Sequence, residues 1–248
     1  MTEQVFGREP ELTLLGEVLS CRKPVLVYGP AGVGKTLLVR ALLPDLPGVL
    51  YCESASSPAV VFRSLAAELI RVGNTNLVRT FGRRPLRDKS AVNIKGLVLD
   101  ALKNGSYTVV LDHLQKPSQA FAGDMRDVLN WSGTPIVAIS RSSHMEDLGF
   151  LHAFFPDRRD RMQIRNFDSA TARAFAIHAS ESEHLALYNQ CDFIERVLSA
   201  SAGNPGAIVQ MIRMASQPRY VSEGYVKFAP LYIDFQLKWG SEHAQWSK

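Results

Sequence analysis

The sequence predicts an α/β protein: a parallel β-sheet covered by helices, followed by a small all-helical subdomain and a short β-like extension. Three observations support this prediction. Short apolar runs rich in β-branched residues alternate with segments of helical spacing up to residue 167. A glycine-rich loop separates the first run from a helix-forming segment, and helical spacing dominates after residue 167. Continuous apolar strands separated by helices are typical of parallel sheets that are buried on both faces.

Five apolar runs are the candidate strands, and helix-forming segments separate most of them. Each run is short and bounded by turn residues, which favours a strand over a helix. The strands are predicted at residues 23–28, 49–52, 107–112, 135–140 and 161–164. Helices are predicted at residues 35–43, 58–72, 91–103 and 118–131, whereas residues 72–89 are interpreted as a basic loop or a weak helix. The predicted α/β core spans residues 1–167.

After this core, the chain divides into a helical lid, residues 168–216, and an extension, residues 217–248. Pro205 suits the start of a lid helix, because the first N–H groups of a helix have no partner within it. In the extension, alternating aromatic and aliphatic residues around Ser222-Glu223-Gly224 predict a β-hairpin. The lid helices are predicted at residues 168–178, 183–188, 192–202 and 205–215.

Composition favours an ordinary globular protein of the cytoplasm. The 248 residues are 46% hydrophobic and 21% charged, and no apolar run approaches the roughly 20 residues that span a bilayer. The N-terminus lacks the pattern of a signal peptide, and three scattered cysteines match no metal-ligand spacing. These features predict a cytoplasmic protein without a membrane partner. The net charge of +4 leaves DNA as a possible partner.

The loop at residues 29–36 has the phosphate-binding pattern G-x-x-x-x-G-K-[ST]. Its glycines allow a tight turn that directs backbone N–H groups at an anion, and the following helix presents its positive N-terminal end to the same place. Lys35 is expected to reach the β- and γ-phosphates, and the Thr36 hydroxyl to hold Mg²⁺. The residues predicted to contact the nucleotide are Gly29, Pro30, Ala31, Gly32, Val33, Gly34, Lys35, Thr36 and Leu37.

Asp112 ends the third apolar run, at the position where an acidic residue orients Mg²⁺ in proteins with this loop (the Walker B position). Asp112 and Thr36 are therefore the predicted metal-site residues, and Asp112 and Lys35 are predicted to be catalytic. The alternative for Asp112 is a turn residue at a strand end, a role that Asp also fills well.

Three further segments stand in order around the loop: Val5-Phe6-Gly7-Arg8-Glu9-Pro10-Glu11-Leu12, Ile139-Ser140-Arg141 and Ala202-Gly203-Asn204-Pro205-Gly206-Ala207. Together with the loop and Asp112, they resemble the motifs of AAA+ and STAND ATPases, which include Orc/Cdc6 initiators, NB-ARC proteins and archaeal ATPases. The resemblance covers residues 5–216. It implies a P-loop ATPase core of the AAA+ type with a helical lid, and ATP or ADP with Mg²⁺ as the cofactors.

The resemblance also implies roles for single residues. Phe6, Gly7 and Arg8 would lie along the adenine and ribose. Arg141 would contact the γ-phosphate, and Pro205 would meet the adenine from the lid. The alternatives are an exposed cation for each arginine and a simple helix-start residue for the proline.

His113 departs from the family pattern. The residue after the Walker B aspartate is usually an Asp or Glu that polarises the attacking water, and this chain carries a histidine there. Losing a general base costs about 10² to 10⁴ in rate, so hydrolysis is expected to be slow or to use another group. His113 itself is one candidate catalytic residue, and Glu53 is a second, if its strand neighbours the strand of Asp112. The alternative for Glu53 is an ordinary loop residue.

Arg158 and Arg159 lie in a region where the Orc/Cdc6 group places an arginine finger, which inserts into the site of a neighbouring subunit. They are therefore candidates for self-association. The alternative is a pair of surface salt bridges with Asp157 and Asp160.

Two functions fit these observations. The first is an ATP-binding protein and slow ATPase that acts as a nucleotide-dependent conformational switch on a protein partner that the sequence does not identify. The second is a DNA-associated AAA+ ATPase of the initiator or transposition-helper type that oligomerises on DNA. The motifs before and after the loop argue against a third class, the small-molecule kinases.

Overall fold

The structure is a computed structural model that describes residues 5–46, 48–81, 91–114 and 116–244. Its residues group into two compact units. The sheet unit contains Arg8–Gly29 and Lys35–Gln163. The helical unit contains Val5–Gly7, Pro30–Gly34 and the described residues from Ile164 to Ala244. Residues 82–90, which include the second part of the predicted basic loop, lie outside the described residues.

The sheet unit is built on five parallel strands in the order β2-β3-β4-β1-β5. The strands are β1 Val25–Tyr28, β2 Val49–Cys52, β3 Thr108–Leu111, β4 Ile136–Ser140 and β5 Arg161–Gln163. All five predicted strands are confirmed. The second and third strands are neighbours, since Cys52 pairs with Leu111, so the condition set for the Glu53 candidate is met. Because the strands are parallel, their carboxyl ends lie at the same end of the sheet, and the segments that follow them begin there.

Helices surround this sheet and bury its apolar side chains. The helices are α1 Glu9–Ser20, α2 Lys35–Leu42, α3 Pro58–Arg71, α4 Thr75–Phe81, α5 Ala91–Lys103, α6 Gln119–Ser132 and α7 Met145–Leu148. The core includes Leu26, Leu50 and Leu111 from the strands and Leu65, Leu102 and Phe121 from the helices. Ser57 and Ser118 cap α3 and α6 by accepting backbone N–H bonds three residues ahead.

Helix α1 has no counterpart among the predicted elements. Its apolar stripe is narrow, with Leu15 and Leu19 as its buried residues, and it begins within the Gly-Arg-Glu segment, at Glu9. Helix α4 lies in the segment interpreted as a loop or weak helix. It packs Leu77 and Phe81 into the core, so tertiary burial stabilises a helix that the polar sequence favours only weakly.

The helical unit contains α8 Ser169–Ser182, α9 Gln190–Ser201 and α10 Pro205–Ala215, followed by β6 Val221–Ser222, β7 Tyr225–Val226 and α11 Phe228–Ala244. The predicted helix at residues 183–188 is wrong. Helix α8 continues to Ser182 and then ends, as the Leu185 N–H bonds to the Ser180 carbonyl and His184 takes a φ of 53°. A left-handed residue at this point stops a helix rather than starting one.

The extension is only partly β-like. The predicted hairpin is confirmed for β6 and β7, whose turn residues Glu223 and Gly224 have φ angles of 52° and 81°. The β-like interpretation is wrong after Val226, because Leu231 and Phe235 are buried four residues apart on one face of a helix. Among the described residues, no helix is long and apolar enough to cross a membrane.

Candidate functional site

The phosphate-binding loop begins directly after β1, and its last two residues, Lys35 and Thr36, are the first two of α2, as its motif requires. Gly32 and Gly34 take φ angles of 75° and 95°, which residues with a side chain rarely adopt. Val33 is buried and Leu37 is half-buried in α2. The sequence therefore folds here into the sharp turn between strand and helix that this class of loop uses for anions.

Lys35 is half-buried in a charged environment within the sheet unit. Its Nζ atom donates a hydrogen bond to the Gly29 carbonyl at 2.8 Å. Burial lowers the pKa of Lys35 to about 8. The nearby Asp112 and Asp147 carboxylates raise this pKa, and the Arg141 guanidinium lowers it. The structure thus brings Lys35, Asp112 and Arg141, three predicted site residues, within electrostatic range of one another.

Asp112 and Thr36, the predicted metal-site residues, are in direct contact. The Thr36 hydroxyl donates to Asp112 Oδ2 at 2.9 Å, and the His113 backbone N–H donates to Asp112 Oδ1 at 2.7 Å. The Asp112 side chain is 1% exposed. A hydroxyl and a carboxylate are oxygen donors of the kind that Mg²⁺ prefers, so these two residues fit the predicted ion.

Tyr51 is a site residue that the sequence prediction missed. It lies on β2, and its hydroxyl donates a short hydrogen bond to Asp112 Oδ2, the oxygen that also accepts from Thr36. Burial, helped by the hydrogen bond to Asp112, raises the pKa of Tyr51 well above its ordinary range, which keeps the hydroxyl a proton donor. The Arg40 guanidinium lies over the Tyr51 ring, 4.9 Å from its centroid. The position of Tyr51 in a predicted strand was the available signal.

Replacing Tyr51 with phenylalanine is expected to lower the free energy of unfolding by about 1.5 to 3 kcal/mol, the range for a hydrogen bond to a charged group. The ring stays, and the buried Asp112 carboxylate loses one of its donors. Urea unfolding at pH 7 measures the change. Tyr107→Phe is the matched control, because the Tyr107 hydroxyl makes no hydrogen bond among the described residues. Equal stability of the two variants would show that the Tyr51 hydroxyl does not support Asp112.

The two candidate bases differ in their surroundings. Glu53 is 80% exposed and lies 3.2 Å from Arg40, so it takes part in a surface ion pair. His113 is 54% exposed, with Nε2 3.9 Å from Asp112 Oδ2, and its φ of 52° is uncommon for a residue with a side chain. Backbone strain of this kind clusters at functional sites. Both catalytic roles stay predictions.

The predicted arginines have three different environments. Arg8 is buried, and its Nη1 lies 2.6 Å from Glu11 Oε1, so the alternative of an exposed cation is wrong for this residue. Arg141 follows β4 directly and is half-buried. Arg158 and Arg159 are exposed in a short 3₁₀ turn. Neither of them forms an ion pair with another described residue, so the alternative of salt bridges with Asp157 and Asp160 is wrong.

The helical unit holds the middle of the phosphate-binding loop against the Gly-Asn-Pro segment. Asn204 Nδ2 donates to the Ala31 carbonyl at 2.9 Å, and the Gly206 N–H donates to the Gly32 carbonyl at 2.9 Å. Asn204 Oδ1 also accepts the Ala207 N–H at 3.2 Å and so caps α10, where Pro205 is the first residue. Asn204 is therefore a second residue whose role the sequence prediction missed, although the motif contains it.

The start of the Gly-Arg-Glu segment also belongs to the helical unit. The Phe6 ring stacks on His178 and lies beside Phe175, with centroid distances of 5.4 Å in both cases. Gly7 has a φ of 62°, and a Cβ atom built on it would lie 2.8 Å from Thr171 Cγ2. Phe6 and Gly7 are thus fixed on helix α8, in the same unit as Pro205 and Pro30–Gly34.

Residues 4–124 match the family model of the AAA ATPase domain. Comparison with curated protein sequences finds no match. A Walker-type ATPase of Pyrococcus abyssi has a similar structure, with a TM-score of 0.66 and 18% identity over 98% of this chain and 75% of the other.

Two further solved structures share the fold. The ORC1 protein of Aeropyrum pernix, solved in complex with DNA, gives a TM-score of 0.64 and 20% identity over 97% of this chain and 67% of that one. A STAND protein of Pyrococcus horikoshii with a tetratricopeptide repeat sensor gives 0.51 and 15% over 95% of this chain but 33% of its own length. The family match over residues 4–124, the strand order and the positions of the motifs support the AAA+ class of P-loop ATPases for this chain.

Proposed function

We propose that this protein binds ATP and ADP with Mg²⁺ and acts as a nucleotide-dependent conformational switch with slow hydrolysis. One observation carries the proposal: the middle of the phosphate-binding loop is hydrogen-bonded to the Gly-Asn-Pro segment by Asn204 and Gly206. Because the same loop continues directly into Lys35 and Thr36, phosphate bound on the loop backbone acts on the start of α10. A switch needs such a link between the ligand and an element that can move.

The residues of the chain fit the proposed ligand. The loop backbone around Gly32 and Gly34 and the Lys35 ammonium suit the phosphates, and Thr36 and Asp112 supply oxygen donors for Mg²⁺. Bound Mg²⁺ neutralises phosphate charge in ATPases of this kind. Arg141 is the candidate for sensing the γ-phosphate. Pro205, Phe6 and Gly7 are the candidates for the adenosine moiety.

The absence of an acidic residue after Asp112 supports slow turnover. His113 lacks the fixed negative charge of a carboxylate, and Glu53 is engaged with Arg40 on the surface. A switch tolerates slow hydrolysis, because its signal lies in which nucleotide is bound.

The second candidate is a DNA-associated ATPase that oligomerises on DNA. Exposed Arg158 and Arg159, which form no ion pair among the described residues, favour it, since free surface arginines suit phosphate backbones and neighbouring subunits. The structure solved with DNA for the similar ORC1 protein points to the same alternative.

Steady-state ATP turnover with and without duplex DNA separates the two candidates, with Lys35→Ala as the background. Turnover close to that background in both conditions, together with measurable ADP binding, is the result expected for the switch. Turnover that rises clearly with DNA, and that falls again in an Arg158→Ala/Arg159→Ala double variant, would overturn the switch in favour of the DNA-associated assembly. Arg126→Ala/Arg196→Ala provides a double variant of equal charge change.

A further inference from the structure

Helix α11 places Trp239 against the middle of the phosphate-binding loop, within the helical unit. A Cβ atom built on Gly32 would lie 2.7 Å from Trp239 Cη2 and 2.7 Å from Asn204 Oδ1. A Cβ atom on Gly206 would lie 2.9 Å from Gly32 Cα and 3.2 Å from the same indole carbon. A side chain on Gly32 would therefore collide with the indole ring, and one on Gly206 would be tightly packed against it.

Aromatic residues of its own helix, α11, also hold Trp239 in place. Its ring stacks on Phe235 with a centroid distance of 5.4 Å, and Phe235 is 2% exposed in the core of the helical unit. Phe235 in turn lies 6.3 Å from the Tyr232 ring, which stacks on Phe228 at 5.7 Å. A row of rings along α11 thus holds the indole against the loop.

We propose that Trp239 is a positioning residue for the phosphate-binding loop, which makes the C-terminal extension part of the nucleotide site. A loop with several glycines has many conformations when nothing holds it, and ordering it on binding costs affinity. The Asn204 side chain bonds to the Ala31 carbonyl and the Trp239 ring lies against Gly32, so the loop is already ordered before phosphate arrives. Preorganisation of this kind strengthens binding without a new contact to the ligand.

The inference rests on the proposed nucleotide binding, and the first test is the affinity for ADP with Mg²⁺, measured by titration calorimetry. Trp239→Leu keeps the helix and an apolar side chain but removes the flat ring, and we expect it to weaken binding by on the order of tenfold. Trp239→Phe is expected to restore most of the affinity. Leu237→Ala is the matched control on the same helix, since Leu237 is 69% exposed, and it is expected to bind like the wild type.

The second test needs no nucleotide. The Gly206 N–H, which donates to the Gly32 carbonyl, should exchange with deuterium faster in Trp239→Leu than in the wild type or in Leu237→Ala. If Trp239→Leu shows unchanged exchange and wild-type ADP affinity, the inference is overturned. If Lys35→Ala loses ADP binding in the same experiments, the proposed function still stands. If the wild type binds no nucleotide, the proposed function fails and this inference fails with it. Faster exchange in Trp239→Leu would then show only that Trp239 holds the loop.

Discussion

Replacing Lys35 with alanine is expected to abolish ATP and ADP binding. The Lys35 ammonium is the cation at the end of the phosphate-binding loop, and it is held there by the Gly29 carbonyl. Charge-assisted hydrogen bonds to phosphate are among the strongest polar contacts in proteins, and we expect a loss of at least about 100-fold in affinity. Titration calorimetry with ADP and Mg²⁺ measures the loss. Lys103→Ala, at an exposed position in α5, is the control for removing one positive charge.

The same lysine is expected to make the affinity for ADP depend on pH. Burial lowers the pKa of Lys35 to about 8, so the free protein loses the proton of this side chain as the pH rises through 8. The protonated form attracts phosphate, so affinity is full below the pKa and falls above it. We expect ADP affinity to fall between pH 7 and pH 9 in the wild type. Retained affinity in Lys35→Ala, with the same pH profile, would contradict the assignment of Lys35 to the phosphate site.

The sheet and the phosphate-binding loop could be predicted because local sequence decides them. A buried parallel strand is a continuous apolar run, and the loop motif fixes its own strand and helix. Helix α11 was harder to predict, since its aromatic residues stand at spacings that fit a strand near Tyr225 and a helix from Phe228 onward. Its burial against the helical core decides between the two, and that burial is a tertiary effect.

The site residues also divide into those that local sequence predicts and those that depend on the fold. Thr36 and Asp112 belong to motifs, and the structure places them in contact. Tyr51 belongs to no motif: its hydroxyl reaches Asp112 only because β2 pairs with β3. Asn204 bonds to Ala31 across 173 positions of sequence, a separation at which spacing carries no information. Residues that act through strand pairing or distant contacts therefore need the fold before they can be recognised.

Replacing Gly203 with alanine is expected to destabilise the helical unit and to weaken nucleotide binding. Gly203 has a φ of 76°, a conformation that costs a residue with a side chain about 1 to 2 kcal/mol. A Cβ atom there would also lie 2.3 Å from the Phe167 carbonyl oxygen, and the Phe167 N–H bonds to the Gly203 carbonyl. The backbone would have to move, and we expect a total loss of about 2 to 4 kcal/mol in the free energy of unfolding.

Gly240→Ala is the matched control for this substitution. Gly240 lies in α11, and a Cβ atom on it would meet nothing within 4 Å, so alanine should be neutral or slightly stabilising in a helix. Denaturant unfolding compares the two variants, and ADP titration under native conditions tests the link to function. Asn204 follows Gly203 and bonds to the loop at Ala31, so a shift of the backbone at Gly203 moves a loop contact. Wild-type ADP affinity in a folded Gly203→Ala protein would mean that the Gly-Asn-Pro segment does not act on the phosphate-binding loop.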